Sequence, residues 1–233
     1  MRPDSPTSLT SEPVSTSIEP VVGWRIWNLS HGPSGAVLLP AGSGSDEWPR
    51  RRPIVAACTV PTLLLKGRRR HEAPSAGCRC GVYASRSLDV FGRERPAWPP
   101  APVVGRVSLW GRTIVHERGW RARFAYPDRL RLVCAVCAWV EPGPGVPTVV
   151  HAFGGRLYTL CEVHRGGIEV PDGRRTRPID LDPHTLEARV LDDYAVDLLP
   201  ADPLEPLYRR PAAPQVPGYF PSIRVVPPSP KPD

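Results

Sequence analysis

Apolar and polar positions alternate with a period of two over much of this chain, as they do along strands that bury one face. Val21-Val22-Gly23-Trp24-Arg25-Ile26-Trp27-Asn28-Leu29 is rich in β-branched and aromatic residues, Ser30 to Gly35 supply turn chemistry, and Ala36 to Leu39 resume the extended pattern. This predicts a hairpin. Trp24 and Trp27 are an odd number of positions apart, so they face opposite sides of a regular strand. Farther on, Val103, Gly105, Val107 and Leu109 share one face, with Arg106 and Ser108 on the other. A break is expected at Gly111, then a second strand, a turn at Arg118-Gly119 and a third strand. In that third strand Trp120, Ala122, Phe124 and Tyr126 oppose Arg121 and Arg123. The result is an antiparallel meander with a core face and an arginine face.

One helix is predicted. Asp182 is its cap, Pro183 lies in its first turn, and Leu186, Val190, Leu191, Tyr194 and Leu198 recur at helical spacing before Pro200. Residues 1–20 are rich in Ser, Thr, Pro and Glu, and residues 211–233 carry a proline every few positions. Neither segment has an apolar period that could offset the entropy of ordering it. The expected class is β-rich α+β: an antiparallel sheet or meander with two zinc-ribbon-like sites, one C-terminal helix and disordered termini. Four segments follow: a tail at 1–20, a basic β-rich domain with the first zinc site at 21–133, a zinc-ribbon-like segment plus helix at 134–200, and a Pro-rich tail at 201–233, with the folded core at 22–200.

The six cysteines divide into two groups of three, each accompanied by one histidine. Cys134-x2-Cys137 is followed by Cys161-x2-His164 across a span able to fold as strand, turn and strand. Two close pairs of this kind suit a tetrahedral zinc ion, because a pair spaced by two residues on a turn aims both side chains at one point. The other group is Cys58, His71, Cys78 and Cys80, where Gly81 after the Cys-x-Cys allows a tight turn. Three thiolates and an imidazole form a closed set, which marks two structural zinc ions and leaves no position for a catalytic water. Disulfides, buried thiols and an iron–sulfur cluster are the competing readings. The first conflicts with a chain lacking the charged start and apolar stretch of an export signal, the second leaves the histidine spacing unexplained, and the third usually takes four cysteines.

The N-terminal pattern and the absence of any apolar run near the roughly 18 residues needed to span a bilayer lead to the expectation of a cytoplasmic protein with no membrane partner. The net charge is +7, and residues 50–133 carry 18 basic and 5 acidic side chains. All basic residues except Lys66 and Lys231 are arginine, a bias that a GC-rich genome also produces. Candidate anion-binding residues are Arg50, Arg51, Arg52, Arg68, Arg69 and Arg70, which border the first cysteine group, and Arg121 and Arg123 on the arginine face. His116-Glu117 is a poor acid–base pair, since adjacent strand residues point to opposite faces. The sequence has no phosphate-cradling glycine loop, no Gly-x-Ser-x-Gly and no His-Glu-x-x-His.

Cys78-Arg79-Cys80-Gly81-Val82-Tyr83-Ala84 and Leu109-Trp110-Gly111-Arg112, with His116-Glu117-Arg118-Gly119-Trp120-Arg121-Ala122 after it, resemble motifs of an uncharacterised, mainly actinobacterial, protein family. The resemblance covers the middle third to half of the chain and implies a lineage without an activity. The residues point to a zinc-stabilised binding module that contacts nucleic acid or an acidic protein through its arginine face. The alternative is a protein–protein adaptor that uses the Pro-rich tail. An enzyme, lacking a visible nucleophile or open metal position, ranks behind both.

Overall fold

The computed structural model describes residues 14–32, 35–41, 46–58, 71–93, 100–169, 173–209 and 224–228. The chain is strand-rich, its strands pair almost entirely antiparallel, and helices are few. In the first half, β1 (Val14–Gly32) and β2 (Gly35–Pro40) form the hairpin expected from the alternation, with Gly32 opposite Gly35 at the turn. They are followed by β3 (Ile54–Val55), β4 (Val82–Ser85) and the short α1 (Asp89–Arg93). The long pair β5 (Val103–His116) and β6 (Gly119–Leu132) forms the centre of the sheet.

The second half opens with α2 (Ala135–Trp139), then the hairpin β7 (Val149–Phe153) and β8 (Arg156–Leu160). After β9 (Ile168–Glu169) and β10 (Arg177–Ile179) comes α3 (Pro183–Tyr194). The chain continues through β11 (Asp197–Leu198) and α4 (Glu205–Tyr208) to β12 (Arg224–Val225). No helix among the described residues is long and apolar enough to cross a membrane.

Four strands close a ring: β1 pairs with β5, β5 with β6, β6 with β4, and β4 returns to β1 through Trp24 opposite Ser85. The same sheet extends across residue 134, since β8 pairs with β1 and β11 runs parallel to β6. Trp27, Leu29, Leu38, Trp48, Val107, Leu109 and Tyr194 are buried together in the main core. The Tyr194 hydroxyl donates to the Trp48 carbonyl and accepts from the Leu38 amide, both at 2.9 Å, and so ties α3 to the β1–β2 hairpin. Trp24 and Trp27 take opposite faces as the alternation requires: Trp27 is fully buried, whereas Trp24 is half-buried beneath the Arg106 guanidinium.

Several expectations change. Gly111 does not end a strand: β5 runs through it, and the irregularity is a bulge between Trp110 and Thr113 with Gly111 at φ +76°. A residue free to adopt positive φ absorbs the extra position while pairing resumes beyond it. The helix ends at Tyr194 with Ala195 left-handed, so Leu198 lies in β11 instead of on the helical stripe; Asp182 caps the start as expected, accepting from the Thr185 amide at 2.8 Å. Val14 to Ser17, within the expected N-terminal tail, pair with β5. Arg224 and Val225, within the expected C-terminal tail, pair with β9.

Candidate metal centres

The second cysteine group forms where two strands end side by side. β6 stops at Leu132, and two residues later Cys134 opens α2, which carries Cys137 on its first turn. The β7–β8 hairpin is the strand, turn and strand expected between the two pairs. It delivers Cys161 directly after Leu160, and a turn of 3-10 helix over Glu162–His164 brings the imidazole round. The Thr159 hydroxyl donates to the Val133 carbonyl at 2.6 Å, holding the two strand ends together.

All four side chains are buried, and their donor atoms lie within 4.8 Å of one another. Cys137 and Cys161 sulfurs are 3.6 Å apart, and His164 Nδ1 is 3.4, 3.3 and 3.2 Å from the sulfurs of Cys134, Cys137 and Cys161. A disulfide would need about 2.05 Å. Tetrahedral zinc places its sulfur ligands about 3.8 Å apart and sulfur and nitrogen about 3.6 Å apart. The observed set is slightly tighter than that and fits a shared central cation. Gly143 leaves the room it needs: a Cβ there would sit 2.6 Å from the Cys137 sulfur.

His164 is oriented from behind, its Nε2 2.9 Å from Glu141 Oε1. With that nitrogen carrying the proton, Nδ1 presents its lone pair to the three sulfurs, the arrangement by which a carboxylate fixes a ligating histidine. The proton balance of the cluster is strained. Hydrogen bonds with Cys134 and Cys161 push the Cys137 thiol up, while those from Cys134 and Cys137 pull Cys161 far down. Desolvation opposes a charge on His164, yet contacts with Cys134 and Cys161 raise it to about 10. Four buried donors competing for protons would be relieved by one divalent cation.

The first group lies against the ring of strands. Cys58 follows β3, while Cys78 and Cys80 precede β4 on a tight turn in which the Cys78 amide donates to the Ser75 carbonyl at 3.0 Å. Cys58 and Cys78 sulfurs are 3.7 Å apart, His71 Nε2 is 3.2 Å from the Cys80 sulfur, and all four donors again lie within 4.8 Å. Here every ligand is only half-buried. The Cys78 thiol is held down to about 7, chiefly by a hydrogen bond from the Cys80 backbone, whereas burial raises Cys80. All six cysteines are free thiols.

Arg121 does not lie on an open face. The strand alternation puts it on the arginine face with Arg123, yet it is 4% exposed, because the loop carrying Cys78 and Cys80 folds over it. Its guanidinium donates to the carbonyls of Cys78 and Cys80, and its Nε donates to His116 Nε2 at 2.9 Å. It is a structural cation beneath the first centre. Arg123 pairs with Glu72 at 3.0 Å. Arg50 bonds the Ala36 carbonyl at 2.9 Å and lies 3.4 Å from Asp193. Arg51 bonds the Asp192 carbonyl at 2.8 Å at the end of α3. Arg52 is exposed, and Arg68, Arg69 and Arg70 lie outside the described residues.

Other arginines stack on rings, with the guanidinium carbons of Arg25, Arg86 and Arg106 5.0, 4.4 and 4.6 Å from the centroids of Trp48, Trp120 and Trp24. A planar guanidinium can pack this way, which lysine does less well. Much of the apparent arginine face is therefore packed against aromatic rings or engaged with backbone.

Two contributors had no sequence signal. Glu141 is one of many acidic residues until the fold sets it behind His164. Arg121 fits the strand alternation equally well whether its face is open or covered. Comparison with family profiles, with curated proteins and with solved structures finds no match for the chain.

Proposed function

We propose that this chain is a non-catalytic binding module braced by two zinc ions, one at each Cys3His centre, and that its basic end beside the first centre contacts an anionic partner, nucleic acid foremost. The observation that carries the reading is the closed donor set. Each centre brings three sulfurs and one imidazole nitrogen to within 4.8 Å of one another. Four protein ligands complete tetrahedral zinc and leave no position for substrate or water, so the ions would fix structure. Zinc suits this donor set better than harder cations, which prefer oxygen. Reduced thiols of this kind fit a reducing compartment such as the cytoplasm.

Three exposed arginines support the partner reading. Arg79 lies between the two knuckle cysteines, while Arg86 and Arg118 sit at the adjoining end of β4 and the β5–β6 turn, where the Arg86 amide bonds the Arg118 carbonyl at 3.0 Å. The adaptor alternative is weakened where Arg224 and Val225 pair with β9, since that part of the Pro-rich segment is docked on the core. The test is anisotropy of a labelled single-stranded 20-mer titrated with protein at several salt concentrations. The expected log affinity falls linearly with log salt, by about 0.7 per phosphate neutralised. Combined replacement of Arg79, Arg86 and Arg118 by Gln should flatten that slope. Affinity indifferent to salt, or to these replacements, would overturn the partner reading while leaving the zinc centres untouched.

A further inference from the structure

Beside the ring of strands is a cavity of about 450 Å³, walled by β1, β4, α1 and the β5–β6 turn. Its size falls within the range of sites that enclose a single small molecule. The walls are mainly apolar, with Trp120, Phe91, Tyr83 and Ala84 among them, and the charged groups in the lining are Arg25 and Arg118; no carboxylate lines it among the described residues. A concave apolar surface carrying two guanidiniums and no acid favours a ligand with a flat apolar body and one negative charge.

Arg25 supplies the specific observation. Its Nη1 donates to the Tyr83 carbonyl and its guanidinium packs on Trp48, yet its Nε is buried without a hydrogen-bond partner in the protein. That Nε is closed to solvent and so to a ligand; what a carboxylate entering the cavity would meet is the guanidinium charge that Arg25 and Arg118 bring to the lining. Burial lowers the Arg25 pKa only to about 10, so the side chain remains a cation at neutral pH.

The walls are held in place from the first metal centre. The Tyr83 hydroxyl donates to the Arg79 carbonyl at 2.6 Å, and Arg121, bonded to the knuckle carbonyls, also donates to His116 in the pocket lining. An arginine Nε can only donate, so His116 Nε2 is the acceptor and the ring is held in place. A pocket pre-formed in this way loses little entropy when a ligand enters.

We propose that this cavity binds a small organic carboxylate with a planar apolar body, its carboxylate on Arg25 and Arg118 and its ring between Trp120 and Phe91. A phosphate ester fits less well, because its higher charge and additional acceptor oxygens ask for more donors than mainly apolar walls offer. The inference does not depend on the nucleic-acid reading.

The experiment is calorimetric titration of the full, metal-loaded chain with 2-naphthoate, with 2-naphthalenemethanol and inorganic phosphate run as the uncharged body and the bare anion. The expected result is saturable one-to-one binding of 2-naphthoate with Kd below about 1 mM, at least tenfold tighter than either comparison probe, and a shift of the Trp120 indole resonance, assigned through Trp120→Phe. Arg25→Met should weaken 2-naphthoate about tenfold, and Arg118→Gln, at an exposed turn position, by a smaller factor, with metal content unchanged. Should Arg25→Met fail to fold, Arg118→Gln and the comparison of naphthoate with the alcohol decide the question. Binding absent at 1 mM, equally tight for the alcohol, or unaltered in the variant that folds would overturn the proposal.

Discussion

The two candidate metal centres bring together the same donors, three cysteines and one histidine, in opposite surroundings. At the centre formed by Cys134, Cys137, Cys161 and His164 every ligand is buried, and the cysteines pack with Tyr158, Leu160 and Ile168 in a core of their own. The centre formed by Cys58, His71, Cys78 and Cys80 is half-open and lies on one side of the strand ring. Their outer partners differ as well: a carboxylate, Glu141, lies behind the buried histidine, whereas a cation, Arg121, lies beneath the open knuckle. A zinc ion with three thiolates and a neutral imidazole carries a net charge of −1, which Arg121 would offset directly. At the buried centre the carboxylate adds charge and in return fixes the ring orientation. The same chemistry thus serves as the core of one region and as a clasp on the surface of the other.

The largest expected effect comes from breaking the buried centre. Cys137→Ala removes one of four donors from a fully buried site, so the metal-binding free energy is withdrawn from folding and the second half of the chain should lose its cooperative melt, a change above about 5 kcal/mol. Near- and far-ultraviolet circular dichroism on heating checks this; an unaltered melt would show that the centre is not what holds the core. Cys80→Ala, by contrast, should release one metal ion while the main transition survives, destabilised by about 3 kcal/mol.

Arg121→Met sharpens the same contrast from beneath. It leaves the Cys78 and Cys80 carbonyls and His116 Nε2 without their donor, at a cost of about 2–3 kcal/mol, and should speed metal loss from the open centre alone when exchange is followed with a colorimetric chelator. Equal effects on both centres would contradict the local role given to Arg121. The smallest effect is assigned to Glu141→Ala, which should weaken metal retention at the buried centre about tenfold with the fold intact, read by competition against a chelator of known affinity.

Six of the eight candidate ligands were legible because chelation is a local matter of spacing: Cys134-x2-Cys137, Cys161-x2-His164 and Cys78-x-Cys80 each sit on one turn, Cys58 and His71 followed only as the residues that complete the set with Cys78 and Cys80, and the β7–β8 hairpin follows from the length and pattern between the pairs. The β1–β2 hairpin and the start of α3 at Asp182 were legible for the same reason. What escaped depends on contacts distant in sequence. The strand period assigns Arg121 to a face but does not say that residues 71–81 will cover it. Gly111 has the appearance of a strand break, and only the continued pairing with Ala122 and Arg121 beyond it shows a bulge. The return of Arg224 and Val225 to β9 carries no apolar period at all, because two residues are too few to make one.

The central claim, two structural zinc ions per chain, is tested most directly by elemental mass spectrometry of the full protein purified without chelator or histidine tag, beside Cys80→Ala. The account predicts two zinc ions per folded chain and one in the variant. Folded protein that holds no zinc, or whose cysteines prove to be joined in disulfides, would contradict it.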